Sequence, residues 1–147
     1  IVAAIRLGHQ ALIRIGIPKP RIAVAGLNPH AGENRVLGNE DLDIVAPAVQ
    51  QARGEGIECT GPHPPDTVFW RMQRGDADMV VALYHDQGHI PMKLVAMDYG
   101  VNVTLGVPIV RTSVDHGTAF DIAGKNKASE RSLVEAIRLA AQLAGTP

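Results

Sequence analysis

Hydrophobic and polar positions along the chain change period several times, and each change predicts a new element. In residues 1–15 apolar side chains recur at helical spacing, and Gly16 with Pro18 predicts that this helix ends near Gly16. The run Arg21–Leu27 is short, apolar and partly β-branched, which predicts a buried strand that leads into a long polar loop. The chain is therefore expected to open with a helix followed by a strand.

The same order of helix and strand continues as far as residue 84. Two further helices and two further strands are predicted: helices from about Asp43 to Gly54 and over Thr67–Gln73, and strands at Ile57–Gly61 and Met79–Tyr84. Strands that alternate with helices through short loops indicate an α/β fold, with a mostly parallel sheet and flanking helices. In such a fold the functional loops are expected at the carboxyl ends of the strands.

The pattern changes after Pro91. Two short strand-like segments, Val101–Gly106 and Pro108–Val114, precede a glycine-bearing loop. A last helix is predicted with Ser129 as its N-cap, and we expect it to end at Gly145 and Pro147. The apolar stripe of this helix is predicted to contain Leu133, Ala136, Ile137 and Ala140.

Length and composition narrow the class of protein. A chain of 147 residues, 46% hydrophobic and 20% charged, has the composition of a globular protein and is expected to form one compact unit. The net charge of −1 gives no basic surplus for nucleic-acid binding, and no apolar run is long enough to span a bilayer. Cys59 is the only cysteine, which excludes an internal disulfide and fits a reducing compartment, so we expect a cytoplasmic protein.

The start of the chain also carries information. It begins at Ile1, without an initiator methionine and without a cap before its first helical pattern. We therefore expect that the sequence begins within an element of a longer protein.

Two histidines follow predicted strands and are candidates for metal binding. His30 lies in NPHAGE and His85 lies in YHDQG, so each is expected at the carboxyl end of a strand. Imidazole is a common ligand of borderline divalent metals, and residues at adjacent strand ends can converge on one ion. Each could instead be an ordinary loop residue, and His63, between two prolines, is interpreted as such.

A second histidine pair offers an alternative. His85 and His89 are four residues apart, the spacing at which two histidines on one helix can bind zinc. However, Asp86 replaces the glutamate of that motif, Gly88 weakens a helix, and Pro91 follows too soon for a long one. We therefore predict that only His85 is a ligand and that His89 is a loop or surface residue.

Three residues further along are candidates for binding an anionic ligand. Lys93 and Arg111 offer a point charge and a bidentate fork for phosphate or carboxylate, although each could be a solvated surface charge. Asn102 lies between apolar residues, where its amide must find a ligand or a backbone partner. The chain contains neither a GxGxxG motif after a strand nor a phosphate-binding P-loop, so an ordinary dinucleotide site is not supported.

Three long motifs resemble one enzyme family. The segments AGLNPHAGE (Ala25–Glu33), ALYHDQGHIPMK (Ala82–Lys93) and VNVTLGVPIVRTSVDHGTAFDIAGK (Val101–Lys125) are similar to the 4-hydroxythreonine-4-phosphate dehydrogenases of vitamin B6 biosynthesis. That family uses NAD and is related to the isocitrate and isopropylmalate dehydrogenases. HGTAFDIAGK resembles their adenosine-binding loop HGSAPDIAGK, which explains why no GxGxxG motif is needed.

The resemblance implies a role for eight residues. By motif, His30 and His85 would bind a divalent metal (zinc, cobalt, manganese or magnesium), Lys93, Asn102 and Arg111 would bind substrate, and His116, Thr118 and Asp121 would face the adenosine half of NAD. It also implies that residues 1–147 are the C-terminal portion of a two-domain, homodimeric enzyme. A third metal histidine and a further substrate-binding His–Thr pair would lie in an N-terminal portion that this sequence lacks.

The implied reaction is the NAD-dependent oxidation and decarboxylation of a small phosphorylated hydroxy acid. In the namesake enzymes 4-(phosphooxy)-L-threonine becomes 3-amino-2-oxopropyl phosphate. His89, the stretch MKLVAMDYGVN and the sequence GTAFDIAG are closer to a branch that oxidises D-threonate or D-erythronate 4-phosphate to dihydroxyacetone phosphate. Two non-enzyme alternatives stay open, an inactive half-site and dimerisation fragment and a metal-free binder of phosphorylated ligands. The general base is not identified.

Overall fold

The computed structural model describes residues 1–145. The chain forms two compact units. The first unit is Ile1–His89 and the second is Ile90–Pro147. The single compact unit expected from the length is therefore wrong, because the residues after His89 form a sheet of their own. Thr146 and Pro147 lie outside the described residues, including the predicted helix end at Pro147.

The first unit is a three-stranded parallel sheet with helices. Its elements in chain order are α1 (Val2–Arg14), β1 (Ile22–Ala25), α2 (Ala46–Gly54), β2 (Cys59–His63), α3 (Val68–Gln73) and β3 (Met79–Val81). The strand order is β2–β1–β3, and Ile22 of β1 pairs with Cys59 on one side and Met79 on the other. The predicted alternation and the parallel sheet are confirmed.

Strand β1 lies at the centre of the core because it is buried on both faces. Ile22 and Val24 pack into a cluster with residues of α1 and α2, such as Ile5 and Val49. Ala23 and Ala25 point to the opposite face, where Val68 of α3 and Ala77 cover them. A parallel strand that is covered on both faces reads as a continuous apolar run, as this one does.

An ion pair fixes the amino ends of β1 and β3. The Arg21 Nη2 atom lies 2.8 Å from Oδ1 of Asp78, and the Arg21 backbone N–H donates to Oδ2 of Asp78 at 2.8 Å. The guanidinium of Arg21 also donates to the carbonyl of Gly75. These hydrogen bonds from Arg21 hold the pKa of Asp78 below its ordinary value of 3.8.

We expect Asp78→Asn to remove part of the acid sensitivity of the first unit. A carboxyl whose pKa is lowered by folding stabilises the protein above its unfolded pKa and loses that contribution as the pH falls through the folded pKa. The variant should be less stable than the parent at pH 7, and the difference should shrink toward about pH 3. Urea unfolding at the two pH values measures it, and a difference that does not change with pH would contradict this account.

Helix α4 (His85–Ala96) is longer than the sequence predicted. It runs without a break through Gly88 and Pro91, so the expected short element is wrong. Proline removes one hydrogen bond of the helical ladder at a cost of about 3 kcal/mol, but neighbouring contacts can outweigh it. Gln87 makes such contacts in the first turn, because its side chain is buried and bonded at both ends.

The second unit is an antiparallel hairpin packed on a helix. Strand β4 (Val101–Thr104) pairs with β5 (Arg111–Val114), and α5 (Arg131–Gly145) packs on both. The Thr112 hydroxyl donates to the carbonyl of Ala136 at 2.8 Å. The buried Ser132 hydroxyl donates to the carbonyl of Gly100 at 2.7 Å, which ties α5 to the residue before β4.

The buried face of α5 differs from the predicted stripe. Ala136 is buried as expected, but Leu133 and Ile137 are 51% and 61% exposed. The buried face instead contains Ser132 and Leu143, because the helix packs on the hairpin through the turn that carries Ser132. The Ser129 hydroxyl accepts a long hydrogen bond of 3.4 Å from the Arg131 N–H, consistent with its predicted place before the helix.

Within residues 1–145 no helix combines the length and the apolar character that a bilayer span requires.

Candidate functional site

Two histidines lie at the carboxyl ends of neighbouring strands, as predicted. His30 lies in the turn Pro29–Gly32, shortly after β1, and His85 is the first residue of α4, shortly after β3. Because β1 and β3 are parallel neighbours, both histidines lie at the same edge of the sheet. Both side chains are exposed to solvent.

The loop that carries His30 has an unusual backbone. All residues from His30 to Arg35 have positive φ, between 41° and 79°, and only Gly32 among them is a glycine. A left-handed conformation costs roughly 1 kcal/mol or more for each residue that carries a Cβ. Such a run persists only where surrounding contacts determine it.

A buried aspartate supplies part of that restraint. Asp41 has no exposed surface, and its Oδ1 accepts the Leu27 N–H at 2.7 Å while its Oδ2 accepts the Asn28 N–H at 3.0 Å. Gly26 lies close by, since a Cβ at that position would come within 2.9 Å of the Ala31 Cα. Asp41 therefore fixes the first residues of the loop that leads to His30.

His85 has the partner that metal-binding histidines usually have. Its Nδ1 lies 2.7 Å from Oδ1 of Asp86, so Nε2 is the ring nitrogen that Asp86 does not engage. A carboxylate on the second ring nitrogen orients an imidazole and raises its basicity toward a metal.

His89 stacks on His85 and does not point with it toward a common ion. The two ring centroids are 4.1 Å apart, and the ring planes differ by 7°. The lone pair of an imidazole nitrogen lies in the ring plane, so parallel rings direct their lone pairs in parallel and do not converge. The interpretation of His89 as a loop residue is corrected, because it lies within α4 as a stacking partner.

The donor set fits a divalent metal in part. Two imidazoles at one sheet edge suit zinc and other borderline cations. Among residues 1–145, however, no group of three or more His, Cys, Asp or Glu side chains is arranged to hold an ion. This chain can supply two ligands, and a structural or catalytic site needs at least one more from elsewhere.

Two of the three predicted substrate residues share one face of the hairpin. Asn102 pairs with Ser113 across the strands and Arg111 pairs with Thr104, which places Asn102 and Arg111 on the face opposite Thr112 and α5. Arg111 Nη1 donates to the Thr104 hydroxyl at 2.8 Å, which directs its guanidinium along this face. The apolar surroundings expected for Asn102 are wrong, because its side chain is exposed.

Lys93 is the third predicted substrate residue and is exposed in the part of α4 that belongs to the second unit. The predicted metal pair belongs to the first unit, whereas Lys93, Asn102 and Arg111 belong to the second. The substrate roles of these residues stay predictions.

The predicted cofactor residues lie in the loop after β5. His116, Thr118 and Asp121 are all exposed in this loop. His116 Nδ1 lies 3.0 Å from the Gly117 carbonyl oxygen, and the Lys125 ammonium donates to the Asp121 carbonyl at 2.6 Å. The adenosine role of the three residues stays a prediction.

A further histidine ends the outer strand of the sheet. His63 is the last residue of β2, and its Nε2 lies 2.8 Å from the Thr60 hydroxyl oxygen. Burial lowers the pKa of His63, and the charge of Arg71 lowers it further. The interpretation of His63 as a loop residue is corrected, because it belongs to β2, where Ala25 of β1 is its partner.

Sequence reasoning missed Asp41 and Gln87, the two buried polar side chains of the first unit. Gln87 lies inside the motif YHDQG, but its amide gave no reason to assign it a partner. Asp41 lies in a run of acidic residues that reads as the exposed start of a helix. No periodic signal marks either, since each bonds at least one backbone group that is distant in sequence, Leu27 for Asp41 and Gly26 for Gln87.

Comparison with known proteins supports the resemblance found in the motifs. A family model described as pyridoxal phosphate biosynthetic protein PdxA matches residues 1–140. The D-threonate 4-phosphate dehydrogenase of Cupriavidus necator is 57% identical over 141 residues, which are 95% of this chain and 42% of that protein. The 4-hydroxythreonine-4-phosphate dehydrogenase of Desulforapulum autotrophicum is 56% identical over 142 residues, which are 96% and 42% of the two.

Solved structures agree. A crystal structure of 4-hydroxythreonine-4-phosphate dehydrogenase from Klebsiella pneumoniae matches with a TM-score of 0.85 at 56% identity, covering 97% of this chain and 43% of that one. The chain therefore spans about two fifths of the length of the relatives it matches.

Proposed function

The chain belongs to the PdxA family of pyridoxal phosphate biosynthetic proteins, and we propose that it forms part of an NAD- and metal-dependent dehydrogenase. Its named relatives are dehydrogenases, and it covers about two fifths of their length. The substrate of the proposed reaction is a small phosphorylated hydroxy acid, oxidised at the hydroxyl β to its carboxylate and then decarboxylated. The observation that carries this proposal is the histidine pair at the carboxyl ends of β1 and β3.

The proposed metal residues are His30 and His85. Asp86 supports this role, because it engages Nδ1 of His85 and not Nε2, the nitrogen that would bind the ion. A divalent cation supplies a Lewis acid that polarises a hydroxyl and stabilises negative charge on oxygen. The chain itself contributes two imidazoles, one on a restrained loop and one at the start of a helix.

The proposed substrate residues act by charge and orientation. Arg111 presents a planar fork suited to a phosphate or carboxylate, and its bond to Thr104 already orients the guanidinium. Asn102 offers an amide on the same face, and Lys93 offers a second positive charge. Groups of this kind would hold the anionic ends of the substrate and orient its hydroxyl toward NAD, which we propose to contact His116, Thr118 and Asp121.

Two substrates fit the same chemistry. The relatives named for D-threonate 4-phosphate and for 4-hydroxythreonine-4-phosphate are 57% and 56% identical to the chain. Both substrates carry a terminal phosphate, a carboxylate and a hydroxyl β to it, and they differ in an amino or hydroxyl group at C2. We therefore propose the shared substrate class, with products 3-amino-2-oxopropyl phosphate or dihydroxyacetone phosphate.

A second candidate is a half-site and dimerisation module without activity of its own. It is favoured by one observation, that among residues 1–145 no group of three or more His, Cys, Asp or Glu side chains is arranged to hold an ion, so the chain offers only the two proposed ligands. In that case the chain alone would bind metal weakly and form no NADH. For the whole enzyme we still propose a homodimer in the cytoplasm.

The deciding experiment measures intact mass, zinc binding and NADH formation on one preparation. Each substrate is supplied with NAD and added divalent metal, and absorbance at 340 nm records NADH. Turnover supports the dehydrogenase, and the faster substrate identifies the branch. A chain of 15.6 kDa that binds zinc and forms no NADH supports the half-site module. A chain that does neither contradicts both.

We expect Arg111→Lys to weaken binding of D-threonate 4-phosphate by about 10-fold or more, because lysine cannot form the paired hydrogen bonds of a guanidinium. Calorimetry measures the dissociation constant, which needs no turnover. Arg138→Lys is the matched control, because Arg138 is exposed on α5 and pairs with Glu135. Equal affinities of the two variants would contradict the proposed role of Arg111.

A further inference from the structure

The first unit contains one buried amide that bridges two loops. Gln87 is only 7% exposed, although it belongs to the first turn of a helix that otherwise faces solvent there. Its Oε1 accepts the Leu83 N–H at 2.7 Å, and its Nε2 donates to the Gly26 carbonyl at 2.7 Å. A buried amide is favourable only when both its ends are paired, as they are here.

The two partners of Gln87 lie on the two loops that carry the proposed metal residues. Leu83 lies between β3 and α4, two residues before His85, and Gly26 directly follows β1, four residues before His30. The backbone pairing of β1 with β3 ends at Val24 and Val81, before either loop begins. Beyond that point the amide of Gln87 connects the two loops.

The restraint continues from Gly26 toward His30. A Cβ on Gly26 would lie 2.9 Å from the Ala31 Cα and 3.2 Å from Asp41 Oδ1, so this backbone is enclosed by the loop itself. Asp41 in turn binds the next two N–H groups, those of Leu27 and Asn28. Displacing Gly26 would therefore disturb the left-handed run that begins at His30.

We propose that Gln87 is a positioning residue that sets the separation of His30 and His85 by holding the Gly26 loop against the start of α4. This inference rests on the proposed function, because it assumes that the two histidines bind one ion. Gln87 is not proposed as a ligand, since both ends of its amide bind backbone groups of the two loops. It acts on metal affinity through the backbone, as outer groups around metal sites commonly do.

The test compares Gln87→Met with Gln51→Met. Methionine keeps the length of glutamine and removes the donor and the acceptor, and Gln51 is an exposed glutamine on α2 of the same unit. Zinc affinity is measured by competition with a chromophoric chelator, and the visible spectrum of bound Co²⁺ reports the ligand geometry. Gln87→Met is expected to weaken zinc binding by about 10- to 100-fold and to shift the Co²⁺ spectrum, while Gln51→Met changes neither.

A further control variant separates a loss of zinc affinity from a general loss of stability. Val68→Ala removes buried apolar volume in the cluster around α3 and lowers stability without touching either loop. It should keep the parent zinc affinity. If Gln87→Met does not fold, Gln87→Asn replaces it, because its amide is one methylene too short to span both partners.

The outcomes separate this inference from the proposed function. A parent chain that binds zinc, with a Gln87 variant that binds within about twofold of it, overturns the inference alone. Weakening by Val68→Ala equal to that by Gln87→Met also overturns it, since stability would then explain both. A parent chain that binds no zinc overturns the proposed metal pair and the inference together.

Discussion

Replacing His30 with asparagine is expected to weaken zinc binding by about 100-fold or more. Loss of a direct ligand should exceed the 10- to 100-fold cost that is typical of a lost outer-shell group. Asparagine is the suitable substitute because His30 has a φ of 52°, a left-handed conformation that asparagine tolerates better than alanine. The expected loss therefore reports the missing imidazole and not a collapsed loop.

The matched control for this prediction is His9→Asn in α1. His9 lies in α1 next to Gly8, which lies against the side chain of Met79 at the amino end of β3, whereas the metal pair follows the carboxyl ends of the strands. Histidine and asparagine have similar helix propensities, so the exchange itself costs little. Equal zinc affinity of His30→Asn and His9→Asn would show that His30 is not a ligand.

Gly61→Ala is expected to destabilise the first unit by roughly 3 kcal/mol or more. A Cβ on Gly61 would lie 2.6 Å from the Val24 carbonyl oxygen, and backbone atoms of the central strand cannot move aside without breaking the sheet. The φ of 141° at Gly61 adds strain, since side chains other than that of glycine rarely adopt it. Urea unfolding measures the change in free energy.

Gly54→Ala is the matched control, because the same substitution is expected not to destabilise the protein at this position. Gly54 is the last residue of α2, and apart from its chain neighbours and the backbone of its own helix no atom lies within 4 Å of the position that its Cβ would take. Alanine there should be neutral or stabilising by up to about 1 kcal/mol, because it restricts the unfolded chain. Similar losses at both positions would show that steric conflict at Val24 does not set the stability of the sheet.

Elements with strong periodicity or clear end signals were predictable from the sequence. The apolar run around Val24 indicated β1, and Gly16 marked the end of α1 within two residues. Helix α4 was not predictable, because Gly88 and Pro91 argue locally against a helix. One bond that supports its first turn joins the Gln87 side chain to the Gly26 carbonyl, which is distant in sequence. Tertiary contacts outweighed propensity there.

The sequence also did not predict the division into two units or which face of α5 is buried. The length of 147 residues suits one core, and only the antiparallel pairing of β4 with β5 shows a second sheet. The stripe through Leu133 and Ile137 satisfied helical periodicity but did not say which side meets the hairpin. A periodic pattern indicates an apolar face without identifying its partner.

The positions of the candidate metal residues were predictable from the sequence, but the contacts that hold their loops in place were not. The strand-end rule placed His30 and His85 correctly, because strand direction follows from the alternation of elements. The left-handed run from His30 to Arg35 and the buried Asp41 left no signal in the sequence, since backbone conformation at non-glycine residues depends on contacts made after folding. Those contacts decide whether two correctly placed histidines can act together.

X-ray absorption at the zinc edge is the most direct test of the claim that one ion binds both His30 and His85. We predict two imidazole ligands with Zn–N distances of about 2.0–2.1 Å in the parent chain, and one in His30→Asn. A parent spectrum without imidazole scattering, or a spectrum that His30→Asn leaves unchanged, would contradict the claim.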